Sequence, residues 1–130
     1  MSGAASRRKG NRAEVAVVNY LKARGWDVET SRNSRGGTQK GADILGDFPL
    51  AVEVKNQTRV DLPAWWRQAE EQAGGGFAVV VHKRVGTSEP GEWWATMDFE
   101  TLVDLVRVLE CGPDERFLSP NAVVCDCRDK

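Results

Sequence analysis

The sequence predicts an α/β fold, a small mixed β-sheet flanked by helices and built as one domain. Three observations point there. Helical stripes alternate with short apolar runs along the chain; a helix lies between the runs around Val52 and Phe77, so the strands it joins are parallel; and 130 residues suffice for one core but not two. With 41% hydrophobic and 28% charged residues, the composition is that of a globular chain and excludes a low-complexity one. The longest apolar runs, such as Phe77 to Val81, fall well short of the roughly 20 residues of a membrane span.

The first eight residues are small, polar or basic and read as a flexible basic arm, 1–8. From Asn11 to Arg24, Ala13, Val17, Tyr20 and Leu21 recur at helical spacing, Asn11 and Glu14 have the spacing of a capping box, and Gly25 ends the stripe. Trp26 to Thr30 reads as a strand, and Ser31 to Gly41 as a polar, glycine-containing loop. A hairpin of residues 42–46 and 50–56 follows, turning through Gly46, Asp47 and Pro49. Asp61 caps and Pro63 opens a second helix that packs through Leu62, Trp66, Ala69 and Ala73 and stops at Gly74. Phe77 to His82 is then a central strand parallel to the Glu53 strand. Trp93 to Met97 is another, and Asp98 caps a third helix carrying Leu102, Leu105, Val106 and Leu109. The folded domain is thus 9–110, and 111–130 is a C-terminal tail docked on it or on a dimer partner.

The chemistry concentrates in the hairpin. Strand alternation puts Val52 and Val54 on one face and Glu53 and Lys55 on the other, while Asp43, on the neighbouring strand, can sit beside Glu53. Closely spaced carboxylates hold Mg²⁺, with Mn²⁺ as a substitute, which is what phosphodiester hydrolysis requires. Asp43 and Glu53 are therefore the candidate ligands, with the backbone carbonyl of Val54 as a third oxygen. Lys55 can orient the attacking water and offset charge growing on the phosphate. Glu14 completes the shell if its helix packs over the hairpin end; by spacing alone it is equally a capping-box glutamate. Gln57 follows the Glu53 strand, and Gln68 on the second helix can bind a metal-bound water or hold Lys55, whereas Gln72 reads as solvent-facing.

Lys9-Gly10 followed by Glu14, then Gly41-Ala42-Asp43-Ile44, then Glu53-Val54-Lys55, together resemble the PD-(D/E)xK nuclease superfamily and, within it, the archaeal-type Holliday junction resolvases and their phage-encoded relatives. The resemblance spans roughly residues 7–110. It implies a restriction-endonuclease-like core, metal binding by Glu14, Asp43 and Glu53, a catalytic Lys55, and a homodimer that nicks four-way DNA junctions in pairs, leaving 5′-phosphates, in recombination and repair. Ala42 stands where the superfamily name has proline, and the family's loop serine corresponds to Ser31 or Ser34. The same core could equally serve a nuclease for flaps, nicks or ordinary duplex, or a non-catalytic DNA-binding protein.

Arg7, Arg8, Lys9 and Arg12 open the first helix, and Arg32, Ser34, Arg35 and Lys40 lie in the loop before Asp43, a set suited to DNA phosphates. Residues 1–60 hold 11 Lys or Arg against 6 Asp or Glu, and residues 61–130 hold 7 against 13, so a net charge of −1 permits a positive face. Adjacent tryptophans, Trp65-Trp66 and Trp93-Trp94, cannot both enter one core, which leaves one of each for a partner or for exposed bases. No apolar signal core follows Arg7, Arg8 and Lys9, so the expected compartment is the cytoplasm, which the family resemblance makes that of a bacterium or phage-infected host. The single residue between Cys125 and Cys127 disfavours a zinc site with Cys111 and His82, leaving reduced thiols as the expected state and a regulatory or accidental disulfide as the alternative.

Overall fold

The computed structural model describes residues 3–31 and 42–111. The chain forms α1 (Gly3–Ala23), β1 (Val28–Thr30), β2 (Ile44–Gly46), β3 (Ala51–Lys55), α2 (Leu62–Ala73), β4 (Ala78–His82), a single 3-10 turn (Pro90–Glu92), β5 (Trp94–Thr96) and α3 (Phe99–Cys111). It is a small α/β domain with a mixed sheet, in the element order expected.

Helix α1 starts at Gly3, eight residues earlier than the stripe predicts. Ala4, Ala5, Arg7, Arg8 and Lys9 are strong helix formers, and nothing before Asn11 forces an end. Asn11 is therefore an interior residue rather than a cap, and residues 3–8 continue the helix. Ala13, Val17 and Leu21 of the stripe are buried as expected, Tyr20 is half-buried, and Val18 beside them is buried as well. At the other end Gly25, at φ 100°, lets its own N–H reach the Lys22 carbonyl and the Trp26 N–H reach that of Leu21, closing the last turn.

β1 and β2 pair antiparallel, and β3-β4-β5 form a second ladder in which β3 and β4 are parallel and β4 and β5 antiparallel. The expected hairpin is thus split: β2 takes β1 as its partner and touches β3 chiefly through Asp43, whose N–H donates to the Val52 carbonyl at 3.1 Å. Gly46 explains the early departure. It has φ 140°, and a Cβ there would lie 2.1 Å from the Asp27 carbonyl oxygen, so the chain turns away from β3 where it closes on β1.

The two faces carry separate cores. Val52, Val54 and Val79 pack with the α1 stripe, Val28, Ile44 and Trp93. Ala78 and Val80, alternating with them, pack on the opposite face against Trp65 and Ala69 of α2. Each fully buried valine contributes about 1.5–3 kcal/mol. The deep tryptophan of α2 is Trp65 rather than the expected Trp66, and Leu62 is exposed, because the helix is rotated by one position from the predicted face. Trp66 is half-buried and its indole donates to Asp98. The Asp61 side chain accepts from the Ala64 N–H at 3.2 Å and Gly74 closes the helix in the left-handed conformation. Removing that cap by Asp61→Ala should cost about 1 kcal/mol in a urea titration.

Helix α3 departs most from expectation. Asp98 caps it as predicted, accepting from the Thr101 N–H at 2.9 Å, and the Thr101 hydroxyl first and this N–H second hold its carboxyl below the usual range. No residue of the helix is buried, however, and Leu102, Val106 and Leu109 lie exposed rather than against the sheet. Periodicity reveals an apolar face but not what covers it. Cys111 is disulfide-bonded, not a reduced thiol; its partner lies outside the described residues. The compartment argument that favoured free thiols says nothing about which sulfurs meet.

Candidate active site

The functional cluster forms at the seam between the two ladders. Where β2 leaves β3, the edge of β3 has no neighbouring strand among the described residues, and the Asp43 carboxylate takes its place: Oδ2 accepts from the Val54 N–H at 2.8 Å. Glu53 and Lys55 extend from the α2 face of β3, and Lys55 Nζ lies 3.1 Å from Glu53 Oε2. Lys55 also donates to Gln68 Oε1 at 2.8 Å, so one residue of α2 fixes the ammonium beside the carboxylate. Glu14 reaches the same cleft from α1. It is only 5% exposed and lies in the middle of a helix, which removes the capping-box alternative.

Glu14, Asp43, Glu53, Val54 and Lys55 line a cleft of about 490 Å³, with Lys9 and Gln57 at its rim. Glu53 is 3% exposed and its Oε1 is buried without a hydrogen-bond partner among the described residues. Its pKa is raised to about 7, first by burial and next by the Asp43 charge, against the opposing pull of Lys55 and with a smaller push from Glu14. The single Lys55 ammonium does not offset burial and the neighbouring carboxylates.

The donor set suits a hard cation. Among the described residues no group of three or more His, Cys, Asp or Glu side chains is assembled as a metal cluster. Asp43 and Glu53 instead offer two carboxylates in an open cleft with Glu14 nearby, the arrangement Mg²⁺ accepts because it retains most of its waters. The orphaned Glu53 oxygen is what such an ion would satisfy.

Of the other expected site residues, Arg7 and Arg8 are exposed on α1, and Lys9 is half-buried with its carbonyl accepting from Asn56 Nδ2 at 3.4 Å. Arg12 is exposed and lines a neighbouring groove. Arg32, Ser34, Arg35 and Lys40 lie outside the described residues, as does Cys125 with Cys127. Ser31 donates its N–H to the Asp43 carbonyl at 2.9 Å. Gln72 does not simply face solvent: its Oε1 is buried and without a partner among the described residues. His82 Nε2 bonds Thr96 Oγ1 at 2.9 Å, and burial lowers its pKa. Sequence reasoning missed Lys83 and Arg84, which line the groove beside the cleft; the strand ending at His82 gave the only signal, since a segment leaving a central strand emerges at its C-terminal edge.

No protein-family model matches the chain, and neither a curated protein nor a solved structure is significantly similar to it. No described helix is long and apolar enough to cross a membrane.

Proposed function

We propose that the protein is a metal-dependent DNA endonuclease with a restriction-endonuclease-like core, acting on branched DNA and most specifically on four-way junctions as a homodimer. The observation that carries the reading is the meeting of Asp43, Glu53 and Lys55 in one cleft, with a buried Glu53 oxygen left without a partner among the described residues. Asp43 and Glu53, with the Val54 carbonyl and Glu14, would hold Mg²⁺. When bound, that ion polarises the phosphoryl oxygens and lowers the pKa of a bound water.

The chain's own groups do the remaining work. Lys55 spends two N–H donors on Glu53 and Gln68, leaving one for the attacking water or a non-bridging phosphate oxygen. The water oxygen bonds to phosphorus as the bond to the 3′-oxygen breaks, giving a 5′-phosphate and a 3′-hydroxyl. Asp43, tied to the Val54 amide, keeps the carboxylate geometry fixed through the reaction. Small phosphoesters fit less well, because basic residues of α1 lie beside the cleft and favour a polyanion.

The test incubates the protein with a labelled immobile four-way junction, a duplex and a flap, each with Mg²⁺ and with EDTA. Paired symmetric nicks in the junction alone, lost in EDTA, are the expected result. Cutting of duplex or flap would move the assignment to another nuclease of this type; binding without any cutting would make it a non-catalytic DNA-binding protein.

A further inference from the structure

A second concavity, about 920 Å³ in volume, adjoins the acidic cleft and shares Lys9, Asn56, Gln57 and Thr58 with it. Among the described residues four cations line it, Lys9, Arg12, Lys83 and Arg84, and no Asp or Glu does. In a chain with 19 acids and 18 bases, that segregation makes this groove positive against a slightly negative whole. Its far wall is aromatic. Trp93 is buried in the α1-side core, with its indole N–H donating to the Thr87 carbonyl at 3.0 Å, while Trp94 is 50% exposed with the Arg84 guanidinium 4.6 Å from its ring centroid.

We propose that this groove seats an unpaired DNA strand, its phosphates on Lys83, Arg84, Arg12 and Lys9 and a base stacked on Trp94, so that the strand continues into the cleft holding Glu53. The proposal rests on the nuclease reading for what happens in the cleft, but not for the binding itself. Cations set along a groove track a phosphate backbone of any sequence, and an exposed indole accepts a base only where that base is not already stacked in a duplex. The occupant is therefore single-stranded DNA at a branch or fray rather than a continuous helix. His82, at the groove floor, bonds Thr96 and has its pKa lowered by burial, so the positive charge comes from the lysines and arginines.

Fluorescence anisotropy with short labelled oligo(dT) and a matched hairpin duplex, in EDTA so that no strand is cut, tests this on the full chain. The Lys83→Ala/Arg84→Ala protein should bind oligo(dT) on the order of 10-fold more weakly or worse, with the salt slope reduced by about 1.4, the loss of two phosphate contacts. Trp94→Ala should lose about 10-fold on oligo(dT) and little on the duplex, and Trp94→Phe should restore most of it. A Lys22→Ala/Arg67→Ala protein, altered at exposed cations outside the groove, should bind as the parent does, and circular dichroism melts establish that each variant is folded. Equal binding by the Lys83/Arg84 variant and that control would overturn the groove assignment, and a Trp94→Ala loss as large on duplex as on oligo(dT) would overturn the single-strand assignment. Cutting measured in parallel separates the two readings. A parent that cuts nothing yet loses oligo(dT) affinity with these substitutions keeps the groove and refutes the nuclease; a parent that cuts while the variants bind normally does the reverse.

Discussion

Glu53→Gln should cut DNA at least about 10³-fold more slowly than the parent protein, a loss of roughly 4 kcal/mol of transition-state stabilisation, and should nevertheless melt at a higher temperature at pH 8. Glu53 is buried at 3% exposure beside Asp43, and its pKa of about 7 stands above the ordinary carboxylate value of 4.5. The native state therefore holds a proton that the unfolded chain has lost between those two values. Stability falls as pH rises through that window and is level above it. The shift corresponds to about 3 kcal/mol, an upper bound, and the substitution also removes the negative charge beside Lys55, so a net gain of about 1–2 kcal/mol is expected. Melting curves of both proteins at pH 5 and pH 8 check this. The gain should be present at pH 8 and nearly gone at pH 5, and Mg²⁺ should raise the melting temperature of the parent but not of the variant.

Asp43 should separate structure from chemistry in a different way. Its carboxylate stands in for a missing strand at the β3 edge, accepting from the Val54 N–H at 2.8 Å. Asp43→Ala strands that amide and should lose about 1–3 kcal/mol in urea unfolding. Asp43→Asn keeps an acceptor of the same shape and should unfold close to the parent. Both should lose cutting to a similar extent, on the order of 10²–10³-fold, because neither supplies the negative charge that a divalent cation needs. Both should still bind DNA, since the basic residues of the neighbouring groove are untouched. Full activity in Asp43→Asn would remove this residue from the ligand set.

The parts of the fold that sequence made legible are those governed by local rules. The Asp61 and Asp98 caps, the closures at Gly25 and Gly74, and the parallel pairing of β3 with β4 through α2 all derive from residues close in the chain. Of the adjacent tryptophans, Trp93 and Trp94 divided as expected, one inward and one outward, whereas on α2 it is Trp65 and not the expected Trp66 that is buried, with Trp66 half-buried. The misread parts depend on contacts distant in sequence. Alternation explained Glu53 and Lys55 as a solvated strand face as easily as a site; only α2, packed on that face with Gln68 against Lys55, makes Glu53 buried. The hairpin reading put β2 along β3, whereas Gly46 draws β2 to β1 and leaves Asp43 at the seam, bonded to Val52 and Val54. That error mattered little for the site, because Asp43 remains where the two ladders touch. By spacing alone Glu14 could be a capping residue as easily as a ligand, because the true start of α1, at Gly3, carries no cap signal. The contribution of Lys83 and Arg84 was illegible because a basic pair after a strand gains meaning only when the groove beside it is known.

Diffraction from crystals soaked in Mn²⁺, read as an anomalous difference map, tests the shared-cation site most directly. One strong peak is expected between the carboxylates of Asp43 and Glu53, absent from Glu53→Gln crystals soaked alongside. A map without a peak there at saturating Mn²⁺, in crystals where the cleft opens to solvent, would contradict the assignment of Asp43 and Glu53 as metal ligands.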